Sequence, residues 1–552
     1  MKEEKTTRPL MKTEGKKFSI LPKSTGLAIA MLVAGFSEVI FLAFVLALDV
    51  LPFKYLAAGI VLLLAIDALI VFLATSVSKH GTRRIGCLVI IFFMLITLLG
   101  GDYYIYSTND TLNKISENRD TWEYYNVMVN AESSYQKAAD IKGKAVFVTD
   151  MDSKQLKEAK ERLITKSEVE YYKEPNFVAV GEHLISWDVD KADLDDAKDA
   201  GEKKETAAMT GSGSELADTE ADSVADTDVD PKEAIILVSE SQNKILQSSI
   251  EGFKKNTRTI YRIKVKKRAN DNSKAVNVTE DSFNVLISGL DSWGTIDQGG
   301  LSDVNMVMTV NPTTRSILLT SIPRDSYIPL HSYGARDKLT HSGLYGEEET
   351  KATIEDFLGI DINYTIRVNF SMVVHLIHEI GGIDVYSEYD FESSISDHFY
   401  VKGWNHLYGM GALYFARERK AFTDGDMQRN KHQQVVLEAV IKKISNSKVL
   451  LTRYTGILDV VEKEMATDMK NTDLKKLAKM QLNDMRGWKI EKVNITGPTG
   501  GAPCYSMGGQ QLSCVFPSEE SVNEAKERIH DVMYPAQVET ENKKDKDKDK
   551  EQ

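Results

Sequence analysis

Three neighbouring stretches, Phe283-Asn-Val-Leu-Ile-Ser-Gly-Leu-Asp291, Ser302-Asp-Val-Asn-Met-Val-Met-Thr-Val-Asn-Pro312 and Ser316-Ile-Leu-Leu-Thr-Ser-Ile-Pro-Arg-Asp325, decide the fold. Each is a short apolar run bounded by turn residues, the pattern of a buried strand. Asn311-Pro312 between the second and third marks a tight turn, so these two read as a hairpin. Downstream, Glu348 to Leu358 reads as a helix and Tyr364 to Phe370 as a strand. Met372 to Ile380 reads as a helix stopped by Gly381-Gly382. Ile383 to Tyr386 is a further strand, and Gly409 to Arg417 and Gln428 to Ile444 are further helices. Strands and helices mixed in this way predict an α/β domain, a mixed central sheet flanked by helices, over 275–450. Residues 451–538 are expected to complete this outer region, and 539–552 to form a charged, disordered tail.

Working toward the N-terminus, 102–268 reads as an accessory domain. It has strand-like pieces at Ala145 to Thr149 and Phe177 to Val180, and a helix near Ser153 to Lys166. Arg258 to Arg268 carries six Lys/Arg but alternates them with Ile260, Ile263 and Val265, which predicts a strand with a basic outer face. Within this region Trp187 to Asp230 holds 15 Asp/Glu and 4 Lys with little apolar content, so 187–230 is expected to be a disordered acidic insertion.

The first hundred residues differ from everything after them. Leu27 to Leu48, Leu56 to Ala74 and Ile85 to Leu99 are apolar runs, with Glu38 and Asp67 the only charges inside them. About 20 apolar residues span a bilayer, so 26–101 is read as three transmembrane helices, the third somewhat short. Three successive runs do not fit a cleavable signal peptide. Seven basic residues precede the first run, and Lys79, Arg83 and Arg84 separate the second from the third. The positive-inside rule then predicts a cytoplasmic tail over 1–25 and an outer region beyond 102. Glu38 and Asp67 read as bundle-interior residues.

The chain is 552 residues long with a formal net charge of −13, which argues against nucleic acid as a partner. Cys87 lies in the third apolar run. Cys504 and Cys514 flank a Gly pair in a hairpin-like stretch, and either a disulfide or two free thiols suits that spacing. There is no P-loop, no G-x-S-x-G and no H-E-x-x-H. His375 and His378 sit among Val373, Val374, Leu376 and Ile377, the setting of a packed helix rather than a zinc site.

Charged residues gather instead at element ends: Asp291, Asp303 and Arg324-Asp325 at strand ends, Arg417 and Arg419 at the end of a helix. Arg429 and Gln433 lie four apart on one face of the next. Several arginines aimed at one point suit a multiply charged anion, whose phosphates the guanidinium fork binds bidentately. Two carboxylates opposite them suit a hard cation. Taken singly, each of these residues reads as a surface ion pair.

These segments, with Lys338-Leu-Thr-His341, Val368-Asn-Phe370, Gly381-Gly-Ile-Asp-Val385, Phe415-Ala-Arg-Glu-Arg419 and Gly425-Asp-Met-Gln-Arg429, resemble the LytR-CpsA-Psr family in content and order. Three membrane helices before an accessory domain resemble its capsule-assembly branch. The resemblance implies a membrane-anchored phosphotransferase that moves a glycopolymer, here capsular polysaccharide, from polyprenyl pyrophosphate to peptidoglycan. It implies Asp291 and Asp303 as ligands of Mg²⁺, with Mn²⁺ as a substitute. It assigns the pyrophosphate to Arg324, Lys338, Arg417, Arg419, Arg429 and Gln433, with Arg324, Asp303, Arg417 and Arg419 as the catalytic set. Phe370 is the expected lipid-groove residue. Capsule-synthesis membrane proteins would be further partners. The chain departs from the family pattern at Trp293, Leu301 and His432, where basic residues are frequent. Polyprenyl-pyrophosphate hydrolysis and non-catalytic binding of the lipid-linked polymer are the rival readings.

Overall fold

The computed structural model describes residues 24–75, 81–117, 120–150, 153–185, 229–268, 273–294, 296, 301–446 and 449–535. Most of the expected acidic insertion, the N-terminal tail before residue 24 and the charged tail 539–552 lie outside these residues. The chain divides into two units: 1–114 with 470–486, and 115–469 with 487–552.

The first unit holds helices Thr25–Leu48, Phe53–Thr75 and Gly81–Glu117, all long and apolar enough to cross a membrane. The third outruns the expected apolar run because its backbone stays helical past Asp102 and Asp110. Glu38 is buried and its carboxyl pairs with Asp67, so the two intramembrane acids answer each other. Helix Asn471–Asp484 groups with this unit. Its Lys479 reaches Asp49 at 2.6 Å and its Lys475 reaches Asn109 at 2.8 Å. These contacts tie it to the ends of the apolar helices.

The second unit contains two sheets. The accessory sheet has the order Glu170–Glu174, Ala145–Thr149, Ile235–Ser239, Asp120–Asn130, Thr257–Arg268. Its last strand alternates as the sequence predicts: Ile263 and Val265 are buried, while Arg262, Lys264 and Lys266 face outward. The run Phe177-Val-Ala-Val180, expected as strand, is instead the start of helix Phe177–Glu182. Asn176 caps it by accepting the Val178 and Ala179 N–H groups, and a four-residue apolar run has no periodicity with which to oppose that cap.

The larger sheet has six strands in the order Met465–Thr467, Tyr364–Asn369, Phe283–Leu290, Ser302–Asn311, Ser316–Ile322, Lys489–Asn494. Tyr364–Asn369 runs parallel to Phe283–Leu290, and Lys489–Asn494 parallel to Ser316–Ile322; the other pairs are antiparallel. Side chains alternate across it, so the strands are apolar on both faces. Leu286, Val307 and Leu318 join a core with helices Glu347–Leu358 and Glu519–Met533. Their neighbours Ile287, Met306 and Met308 face the other side, toward helices Phe370–Glu379, Gly409–Arg417 and Gly425–Asn446. Gln434 of the last helix donates its amide to the carbonyls of Leu319 and Val493, at 2.9 and 2.8 Å, fixing that helix over two strands.

Candidate functional site

Between the sheet and these three helices lies a cavity of about 380 Å³. Asp291, Asp303, Arg324, Phe370, Arg417, Arg419, Arg429 and Gln433 all line it. The residues the sequence singled out for this site are therefore brought together, except that Lys338 and Asp325 do not line the cavity. The Lys338 ammonium pairs with Asp325 at 3.2 Å, so its charge is spent within the loop that carries Arg324.

Local structure explains the convergence. The register of Phe283–Leu290 against its neighbour shifts between Gly289 and Leu290, a bulge that turns the strand just before Asp291. Asp303 opens the neighbouring strand, and its Oδ1 accepts from Arg324 Nη1 at 2.7 Å. Asp325 stands 3.5 Å from Arg324 Nε. The Arg417 guanidinium lies over the Phe370 ring at 4.2 Å and within 3.6 Å of Asp291. Trp293 meets Phe370 edge to face at 5.6 Å, so this departure from a basic residue extends an aromatic wall.

Asp426 gathers the remaining arginines: Arg419 Nη2 hydrogen-bonds its Oδ2 at 3.0 Å, and Arg419 Nε and Arg429 Nη2 form ion pairs with its Oδ1 at 2.9 and 3.3 Å. Only glycine fits at 425, because a Cβ there would stand 2.3 Å from the Arg419 carbonyl oxygen. Glu418, between the two motif arginines, is fully buried. Its carboxylate accepts from the N–H groups of Ser394, Arg419 and Ala421 and from the Ser394 hydroxyl, at 2.6 to 3.0 Å. Burial opposes its charge, yet these donors outweigh burial and hold the carboxyl below its usual range. Sequence reasoning missed Glu418 as the residue that shapes this turn; its place between two site arginines was the available signal.

The electrostatics suit an anion. Burial works against the Arg324 charge, but Asp303 and Asp325 overcome it and hold the guanidinium firmly protonated. Burial lowers Arg429, and the nearby Arg324 charge adds to that, so this guanidinium lacks full compensation from the protein. The Nε–H groups of both Arg324 and Arg429 are buried without a hydrogen-bond acceptor. Two unmade donors beside a cavity invite an oxyanion. Burial also pushes the Asp291 carboxyl up; Arg417 opposes this and Asp303 adds to it. Asp291 and Asp303 together offer the all-oxygen donor set that a hard divalent cation takes.

Past this polar mouth the lining is aliphatic: Ile287, Met306, Met308, Val436, Val440 and Ile441 are representative. The helix Gly425–Asn446 presents Gln433, Val436, Leu437, Val440 and Ile441 on one face, so a single stripe passes from polar mouth to apolar interior. The site can thus hold a molecule that is anionic at one end and hydrocarbon at the other. His432 stays out of it, stacked on Phe415 at 4.1 Å. His375 pairs with Glu464 at 2.7 Å, as suits a packed helix. Cys504 and Cys514 sit side by side and buried, their sulfurs 3.7 Å apart.

Comparison with known proteins follows the same segments. The profile of the LytR_cpsA_psr family matches residues 249–530. The polyisoprenyl-teichoic acid–peptidoglycan teichoic acid transferase TagU of Bacillus mycoides is 34% identical over 218 residues, 39% of this chain and 69% of that protein. The corresponding transferase TagV of Bacillus subtilis is 30% identical over 239 residues, 42% of this chain and 60% of that protein. The crystal structure of B. subtilis TagV aligns with 46% of this chain and 98% of its own at 27% identity, with a TM-score of 0.38.

Proposed function

The chain belongs to the LytR-CpsA-Psr family, and on that premise we propose that it transfers a glycopolymer phosphate from a polyprenyl pyrophosphate carrier to a hydroxyl of peptidoglycan. The observation that carries this reading is the cavity itself: four arginines and Gln433 at its mouth, aliphatic side chains behind them. The pyrophosphate sits among Arg324, Arg417, Arg419 and Arg429, and the prenyl chain runs inward past Phe370. At ~0.8 kcal/mol per buried CH₂, ten buried carbons contribute on the order of 8 kcal/mol, enough to select a lipid-linked donor over a free nucleotide sugar.

Breaking a phosphoanhydride builds charge on both the leaving and the transferred phosphate, and fixed guanidinium groups stabilise it where it develops. Asp303 and Asp325 orient Arg324, and Asp426 orients Arg419 and Arg429. Asp291 and Asp303 are the residues that would hold Mg²⁺, which would supply further charge neutralisation at the pyrophosphate. The three apolar helices keep the enzyme at the bilayer that contains its donor. We place the N-terminus in the cytoplasm and the catalytic domain outside, following the basic residues before and between the helices. The polymer is assigned as capsular polysaccharide, supported by the three-helix anchor and the accessory sheet, most of which lie outside the segment that the family profile matches.

The test uses the full-length chain with a lipid-linked polymer, with and without a peptidoglycan acceptor. Arg324→Ala and Arg417→Ala should each lower acceptor-dependent transfer by about 100-fold or more. Undiminished transfer in both would remove the site assignment, and phosphate-chain release that ignores the acceptor would make the enzyme a hydrolase.

A further inference from the structure

We propose that Asp337, His341, Cys504 and Cys514 form a structural zinc site behind the loop that carries Arg324. Asp337, His341 and Cys504 are buried, with one donor atom of each within 4.8 Å of the others; they are the one such cluster among the described residues. The Cys514 sulfur lies 3.7 Å from that of Cys504, just outside this cluster, and is the residue that would complete four ligands by turning its side chain inward. That separation is far beyond a disulfide bond of about 2.05 Å. It equals the edge of a tetrahedron built on Zn–S bonds of about 2.3 Å, which is about 3.8 Å.

The donor set selects the metal. Two thiols with an imidazole and a carboxylate suit zinc, whereas Mg²⁺ and Ca²⁺ take oxygen alone. The donors are also held in place. The Asp337 carboxylate accepts the Lys338 N–H at 2.7 Å and the Ser506 N–H at 2.6 Å, and His341 Nδ1 lies 2.6 Å from its Oδ1. Cys504 begins a tight turn in which Gly508 (φ 63°) and Gly509 (φ 87°) reverse the chain, and the Gly509 N–H returns to the Cys504 carbonyl at 3.0 Å.

Burial pushes both thiols above their ordinary range, and the Asp337 charge adds to this at Cys504. Zinc binding would displace one proton from each thiol. Zn²⁺, two thiolates and one carboxylate together leave a single negative charge.

The site would tie the hairpin of strands Thr499–Pro503 and Gln511–Val515 to the catalytic loop. Val515 donates its N–H to the Asp325 carbonyl at 2.8 Å, and Asp325 pairs with both Arg324 and Lys338. The metal is thus structural, two residues removed from the phosphate-binding arginine, and independent of the proposed Mg²⁺.

The full-length chain, purified in detergent without chelator, should carry about one zinc per molecule. Cys504→Ser and Cys514→Ser should each lower the zinc content at least about tenfold, while Cys87→Ser leaves it unchanged. Cobalt exchanged into the wild-type chain should give the visible bands of a tetrahedral site and a thiolate charge-transfer band in the near ultraviolet. This readout decides the matter even where a cysteine variant does not fold. A wild-type chain that retains no zinc after incubation with it, a Cys504–Cys514 disulfide in a non-reducing peptide map, or unchanged zinc content in folded Cys504→Ser would each overturn the proposal.

Discussion

At the scale of single residues, the structure separates side chains that look alike in the sequence. Lys338 and Arg324 both pair with Asp325, yet only Arg324 lines the cavity. Nothing in a linear reading tells these apart, because the choice depends on where the folded chain sets each side chain relative to the cavity. His432 is the clearest case. Its Nδ1–H donates to the Phe415 carbonyl at 3.0 Å while its Nε2 accepts from Gln428 at 2.9 Å, so the neutral ring is the form that fits. Burial, opposed by the Phe415 carbonyl, pushes its pKa down to about 4. The unfolded chain, with an ordinary value of about 6.5, therefore binds a proton first as the pH falls. Stability from this residue is intact above pH ~6.5 and declines between there and pH ~4, by about 3 kcal/mol in all. Urea unfolding across that range should show the decline in the wild type. His432→Gln should be less stable at neutral pH but lack this part of the slope; an identical slope in the variant would refute the assignment.

Among elements, the helix Gly425–Asn446 contributes most to the candidate site. Its periodic apolar face was legible, as were the strands on either side of Asn311-Pro312, because burial enforces periods of 3.6 and 2 on helices and strands. What that pattern does not disclose is whether the face meets other side chains or an open cavity; Ala439 belongs to the packed core, while Val436 and Val440 belong to it and also border the cavity. Leu437→Trp should fill part of this space and weaken binding of long-chain prenyl phosphates at least about tenfold, while inorganic pyrophosphate binding stays within about twofold. Titration with the two ligands measures the difference directly. The short run at Phe177 shows the opposite limit, since four apolar residues carry no period and the deciding signal was the preceding Asn176.

For the whole molecule, the proposed orientation rests on the basic residues before and between the apolar helices and can be tested directly. All three native cysteines are buried, so an introduced thiol is a clean reporter of topology. Lys402→Cys, at an exposed position of the catalytic domain, should react with a membrane-impermeant maleimide in intact cells. Ser78→Cys, between the second and third apolar runs, should react only after permeabilisation; the reverse pattern would invert the proposed orientation. The assembly of the six-stranded sheet was less legible than its members. Met465–Thr467 and Lys489–Asn494 are its two edges, contributed by a region far along the chain from the other four strands, the last of which ends at Asn369. Edge strands of three and six residues carry too little pattern to announce their partners.

The cavity joins a cationic mouth to a hydrocarbon-like interior, and these two halves respond to different thermodynamic variables. Ion pairing at the arginines is weakened by salt, whereas moving a prenyl chain out of water lowers the heat capacity and is nearly indifferent to salt. Calorimetry on a series of prenyl phosphates should therefore give a heat-capacity change that becomes more negative with each added isoprene unit, at a salt slope that stays constant. Once the chain exceeds the space available, the increments should cease, and the length at which they cease measures the depth of the cavity from solution.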